Sequence, residues 1–407
     1  MGELKPPELE RLIGIECYKT DVEGIGGRLK QQPEDFVVEE ITQDGIILEV
    51  GKESIKDLSH SGGFVHCTLE KINWDTMRAV KEIARSLRVS QKRIGYAGTK
   101  DKKAVTTQRI SISGVTIEDL QKISLKDLTL RDFAYQDDNI GLGNLRGNRF
   151  TITIRGIDME GDEIESAVSA NSSSLASGFP NFFGVQRFGV QRPITHLVGR
   201  EIIRGNFERA VSIYLSEVFE GENSEAVEAR RLLSETGDFK DALKNFPRNL
   251  GYEISMLNHL AVKPFDFKGA LRVLPKGLSR MFVHGYQSYI YNKSLSRYIK
   301  RDIVVERLPL AGFESQVDEI TQEVLEEEGV KLEEFRVKGM SELGSRGELR
   351  DCFIGVDDFI LSCVGSDELN EGRCKAVVRF SLPAGAYATT LLREYMKNEY
   401  WLQDLDS

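Results

Sequence analysis

The first third of the chain alternates apolar and polar residues over short runs, whereas the stretch beyond about residue 190 repeats its apolar positions every three to four residues. Residues 1–26 read as loop with a little strand. Residues 29–41 read as a strand carrying Pro33, which cannot donate to a ladder and belongs at an edge or a start. Residues 46–50 and 64–69 read as further strands. From 75 to 87, Met77, Val80, Ile83, Ala84 and Leu87 share one helical face, with Asn73 and Asp75 placed to cap its start. Residues 94–97, closed by Gly98, and the β-branched run 105–113 read as two strands joined by a charged turn. A short helix over 117–123, a strand over 150–154 and a helix over 163–176 follow. Past Arg192 the pattern predicts helices over 207–215, 224–233, 279–299 and 319–328, then a strand over 376–382 and a last helix over 389–396.

At 407 residues the chain exceeds what one hydrophobic core serves, so two domains are expected. A composition 40% hydrophobic and 29% charged is that of a soluble globular protein. The five cysteines are scattered singly, which fits a reducing compartment and suggests no structural metal. The first residues lack an apolar signal core and no stretch approaches the roughly 20 apolar residues of a membrane span, so a cytoplasmic protein is expected. The net charge of −10 counts against a nucleic-acid partner, but charge is unevenly distributed. Asp318, Glu319, Glu323, Glu326, Glu327, Glu328, Glu333 and Glu334 read as one solvated helix face. Bases gather around Asp101 and at Arg146, Arg149 and Arg155, the asymmetry that a nucleic-acid groove requires.

Asp101 is the lone acid of the charged turn, among Arg85, Arg88, Lys92, Arg93, Lys100, Lys102, Lys103 and Arg109. Such cations favour its ionised form. Two readings follow: a surface ion pair, worth at most about 1 kcal/mol, or a carboxylate that acts at a sugar carbon of a polyanion held by the surrounding bases. Spacing does not choose between them. Asn148, at the mouth of the 150–154 strand, is a turn residue or an amide offered to a uracil edge. Phe182, Phe183 and Phe188 surround Gln186 and Arg187, either to stack bases or as core whose polar members brace a loop.

A resemblance does choose. Residues 98–108, Gly-Thr-Lys-Asp-Lys-Lys-Ala-Val-Thr-Thr-Gln, resemble the signature of the TruD family of pseudouridine synthases. Residues 30–38, 145–150, 180–189, 282–292 and 381–393 resemble further motifs of that family, in its order. The resemblance implies an α+β protein: a catalytic domain with a mixed, largely antiparallel sheet built from both chain ends, 1–175 and 365–407, and an inserted α/β domain over 176–364. It implies a tRNA pseudouridine synthase, acting in relatives at uridine 13, with Asp101 as the essential carboxylate. Attack on the ribose C1′ and removal of the C2′ proton both remain open as its role. Substrate contacts are implied for Phe36, Asn148, Tyr387, Lys30, Glu34 and Phe150, with support from Lys100, Lys102, Gln186 and Arg187. Tyr387 stands where the family often has Phe. No cofactor, metal, membrane or obligate protein partner is implied; the partner is the tRNA. A noncatalytic RNA-binding protein on the same fold is the rival, and a nucleoside glycosidase would need a second carboxylate, for which Glu34 is the motif candidate.

Overall fold

A computed structural model describes residues 4–54 and 61–398. The described residues form two compact units, one of residues 4–21 with Pro180–Ile354, the other of Val22–Phe179 with residues 355–398.

The second of these is a mixed eight-stranded sheet with helices packed on it. Its strands are β1 (Phe36–Ile41), β2 (Phe64–Ile72), β3 (Ile94–Tyr96), β4 (Val105–Ser113), β5 (Leu128–Gln136) and β6 (Gly147–Ile157), with two late strands, Asp357–Ser366 and Cys374–Pro383. They lie in the order Asp357–Ser366, Cys374–Pro383, β6, β1, β4, β2, β5, and β3 adds to β4. Among the described strands of this sheet β1 and β4 run parallel and the other pairings are antiparallel. Residues from before 157 and after 357 therefore share one sheet. β4 is central and buried on both faces, which is why its sequence is a continuous β-branched run and not an alternation.

The Thr76–Leu87 helix lies against this half of the sheet. Asp75 caps it by accepting from the Arg78 N–H at 2.9 Å, and Arg88 closes it in the left-handed region at φ 56°. Ala79, Val80, Ile83 and Ala84 face Val65, Cys67, Leu69, Ile110 and Ile112. Met77, expected on that apolar face, is 48% exposed: it sits at the edge of the stripe, where the Tyr96 hydroxyl lies 2.8 Å from its sulfur.

Three local expectations are corrected. Residues 29–41 are not one strand: Pro33 opens a 3-10 turn, Pro33–Asp35, and only Phe36–Ile41 joins the sheet, because the proline has no N–H to give a ladder. Residues 46–50 form no strand beyond a single bridge from Ile47 to Ile41, since side chains take their neighbours' donors: Glu39 accepts from Val50 N and Glu70 from Gly51 N. The expected strand before residue 27 is absent among the described residues, which hold a short helix at Glu8–Leu12.

The other unit is mostly helical. Its axis is the Lys276–Lys300 helix, with Phe282, Tyr286 and Ile290 in the core as their spacing implied and Tyr289 packed at its margin. The Thr195–Ile203 helix crosses it closely. A Cβ on Gly199 would stand 1.9 Å from the Phe282 carbonyl oxygen and one on Gly285 2.7 Å from Thr195 Cγ2, so glycine at both positions permits the approach. The acidic run is only partly a solvated face: Glu319, Glu326, Glu327 and Glu333 are exposed, whereas Asp318, Glu323 and Glu328 are half-buried. Asp318 caps the Glu319–Glu327 helix and accepts from the Tyr298 hydroxyl at 2.8 Å; Glu323 pairs with Arg301 at 2.6 Å, Glu328 with Lys293 at 2.8 Å, and Glu327 with Arg297. These acids dock one helix onto another. No described helix is long and apolar enough to cross a membrane.

Candidate active site

Parallel pairing of β1 with β4, in the register Val37 to Val105, puts the segments that lead into both strands at the same end of the sheet. Lys30 and Asp101 therefore meet. The Lys30 ammonium lies 2.5 Å from Asp101 Oδ1; Lys30 is 3% exposed and the Asp101 side chain 42%. The same ammonium stands 4.2 Å from the centre of the Phe36 ring, which holds it by a cation–π contact. Lys30 takes a left-handed φ of 55°, a conformation few non-glycine residues adopt, so packing and the ion pair must fix it there.

The Asp101 loop is fastened from below by three buried side chains. Lys71 Nζ donates to the Asp101 carbonyl at 2.7 Å and reaches the Lys100 carbonyl at 3.4 Å. Thr76 Oγ1 accepts from Lys100 N at 3.0 Å, and Gln108 Nε2 donates to the Gly98 carbonyl at 3.1 Å. Lys71 is fully buried, and this burial pulls its pKa down to about 8 although the Asp101 charge opposes the shift. The result is a carboxylate on a rigid loop with its free side open to solvent.

Beside it, Phe36, Phe150 and Phe380 share one face of the sheet. Phe150 meets Phe36 edge to face at 6.2 Å and stacks on Phe380 at 5.3 Å. Phe36 and Phe150 are 2% and 6% exposed, so their rings are walls. Asn148 lies two residues from Phe150 on that face, opposite Glu40. Its amide oxygen is buried with no hydrogen-bond partner among the described residues, an arrangement that costs stability unless a ligand donor fills it.

The remaining residues implied by the motifs are placed as follows. Lys100 is spent on Glu40 at 2.6 Å, both side chains being at most 5% exposed, while Lys102 is exposed on the loop. Tyr387 is half-buried at the start of the Ala388–Met396 helix, where its carbonyl accepts from Thr390. Glu34 is exposed on the turn before β1. Gln186 and Arg187 belong to the other unit, where Arg187 reaches Ser288 Oγ at 3.4 Å. Two bases expected in the groove are occupied. Arg149 pairs with Glu39 and Glu49, and Arg155, 3% exposed, pairs with Asp35, Asp367 and Glu368.

The family model for tRNA pseudouridine synthase D (TruD) matches residues 12–312 and 305–395, which takes in every element of this site. A protein of Methanosarcina acetivorans that bears the name "Probable tRNA pseudouridine synthase D" is 41% identical over 98% of both chains. One of the same name from Methanopyrus kandleri is 40% identical over 81% of this chain and 85% of its own. The chain belongs to the TruD family. The crystal structure of a protein from Methanosarcina mazei that bears the name "Putative tRNA pseudouridine synthase D (TruD)", 40% identical, superposes with a TM-score of 0.83 over 98% of this chain and 99% of that one, so the α+β architecture is that of the TruD fold.

The sequence pattern assigns no role to Lys71, Thr76 or Gln108, although Gln108 closes the signature stretch 98–108. Lys71 and Thr76 stand at positions that read as ordinary strand and helix start. The available signal was a lysine at a strand position whose neighbours two and four residues back, Leu69 and Cys67, are apolar and core-facing.

Proposed function

We propose that this TruD-family chain isomerises uridine to pseudouridine in tRNA, at uridine 13, with Asp101 as the essential carboxylate. The observation that carries the reading is the Asp101 loop: an accessible carboxylate, paired with a buried lysine, on a loop held by three buried side chains. The site lies beside an aromatic wall and an unpaired amide oxygen. The tRNA names of the relatives support the substrate class, and the motif resemblance supports position 13.

In the reaction the N1–C1′ bond breaks, the base turns, a C5–C1′ bond forms, the C5 proton leaves and N1 gains one. Nothing is oxidised and no group is transferred away, so the chemistry asks for one ionised carboxylate at the ribose, as nucleophile at C1′ or as base at C2′. Lys30 orients that carboxylate. The uridine must leave its stack to reach it, at a cost of a few kcal/mol, offset by contacts to the extruded base. Asn148 Oδ1 accepts from the uracil N3–H, Tyr387 covers the ring, and Phe36 and Phe150 close the wall behind it.

Tritium release from tRNA labelled at uracil C5, followed by mapping of the product, tests the proposal. Wild type should release one tritium per tRNA and place pseudouridine at position 13, and Asp101→Ala should release none. Free uracil in place of pseudouridine would make the chain a glycosidase; tRNA binding without release would leave the noncatalytic alternative.

A further inference from the structure

Four of the bases that remain exposed form a row. Arg78, Lys81, Arg85 and the capping Arg88 follow one another three and four residues apart on the Thr76–Leu87 helix, hence on one face, and all are exposed. Trp74, one turn before Arg78, continues the row; the Arg78 guanidinium lies 4.9 Å from its ring centre. The Trp74 indole donates to the carbonyl of Lys126, whose side chain is 92% exposed. From 74 to 88 the row runs about 20 Å at 1.5 Å per residue.

Three acids lie close by along the row, and a fourth, Asp119, lines a cavity with Arg88 while itself paired with Lys122 at 3.4 Å. Glu82 is 3.7 Å from Arg85, Asp127 is 4.0 Å from Lys126, and Asp75 accepts from Arg78 N as the helix cap. The first two are exposed or long-range pairs of little worth, so the face keeps a net positive charge. Packing does not explain the row, because the helix meets the sheet with its other side. Solubility does not either, in a chain of net charge −10 where further cations bring the charge nearer zero. Position supplies the missing link. Thr76, at the start of this helix, bonds Lys100 N at 3.0 Å, so the row begins at the Asp101 loop, where Lys102 is exposed.

We infer that this face is a docking track for the phosphate backbone of the RNA that flanks the target uridine. A strand whose nucleotide reaches Asp101 has its neighbouring phosphates beside Lys102 and Arg78, and the row carries them along the helix to Arg88. The inference rests on the proposed action on tRNA and adds to it the surface that fixes the register of the RNA.

The test is a triple variant, Arg78→Gln/Lys81→Gln/Arg85→Gln. Its tRNA binding is measured by filter retention from 50 to 200 mM salt, and its pseudouridine formation by KM and kcat. Each lost phosphate contact lowers the slope of log K against log salt by about 0.7 to 0.9. The slope should therefore fall by about 2 to 3 and KM should rise at least tenfold at 100 mM salt, with kcat at saturation within twofold of wild type. Arg78→Lys/Arg85→Lys, which keeps the charges, should keep the slope. An unchanged slope and KM in the triple variant, with wild type active, would overturn the track alone. Inactivity of wild type on every tRNA would overturn the proposed function, and the salt slope would still decide whether this face binds RNA.

Discussion

Replacing Lys71 with methionine isolates what the fastening of the Asp101 loop is worth. The substitution keeps the stem and removes an ammonium that donates to the Asp101 carbonyl at 2.7 Å and, more weakly, to the Lys100 carbonyl at 3.4 Å. One good hydrogen bond from a charged donor contributes about 1.5–3 kcal/mol. Two terms therefore compete in stability at neutral pH. Burial that lowers the pKa from 10.5 to about 8 opposes folding by roughly 3 kcal/mol, and Lys71→Met regains that, while the orphaned carbonyl loses about as much. Net stability at pH 7 should change by less than about 2 kcal/mol. The rate should not be spared, because a carboxylate displaced by about 1 Å loses on the order of 10²-fold in rate. The sign of the pH effect follows from the depressed pKa. Below about pH 8 Lys71 is charged folded and unfolded, and the penalty is constant. Between about 8 and 10.5 the unfolded chain binds more protons, so wild type gains stability relative to Lys71→Met as pH rises. Single-turnover pseudouridine formation and thermal melts at pH 7 and 9.5 measure both quantities. A Lys71→Met protein with a wild-type rate, or one whose stability difference from wild type is the same at both pH values, would refute the reasoning.

Other outcomes follow from the same geometry. Asn148→Ala removes an amide oxygen that has no partner, so its melt should stay within about 1 kcal/mol of wild type while kcat/KM for tRNA drops at least tenfold. Phe150→Ala deletes a buried ring packed edge to face on Phe36 and stacked on Phe380 and should cost about 3–5 kcal/mol in denaturant titration, with activity lost alongside. In the other unit, Gly199→Ala would place a methyl 1.9 Å from the Phe282 carbonyl oxygen, and the overpacking should lower stability by about 1–3 kcal/mol or more in a melt.

Elements that carry their own signals were legible in the sequence. β4 coincides with the β-branched run 105–113, and the helix after Asp75 has its cap, its stripe and its end in local sequence. The position of Asp101 on a turn between strands was legible for the same reason. What was not legible depends on partners distant in the chain. Arg155 read as a groove base because nothing near it says that Asp35, 120 residues earlier, and Asp367 are waiting for it. Asp318, Glu323 and Glu328 read as solvent-facing like their exposed neighbours because Tyr298, Arg301 and Lys293, which they engage, are distant in the chain. The Thr195–Ile203 helix escaped notice: it is short and enters on Pro193, and its packing depends on a glycine contact with a helix 80 residues away. The Lys30–Asp101 pair likewise requires the parallel register of β1 and β4, which no local pattern encodes.

Asp101→Asn isolates the charge of the proposed catalytic carboxylate, since the amide keeps the shape and loses the charge. Wild type and Asp101→Asn are mixed with stoichiometric tRNA, and binding and pseudouridine at position 13 are followed on the same samples. The account predicts that Asp101→Asn binds tRNA within about threefold of wild type and converts it more slowly by about 10⁴-fold or more, the scale on which single members of a catalytic set count. Conversion by Asp101→Asn at a rate near that of wild type would contradict it.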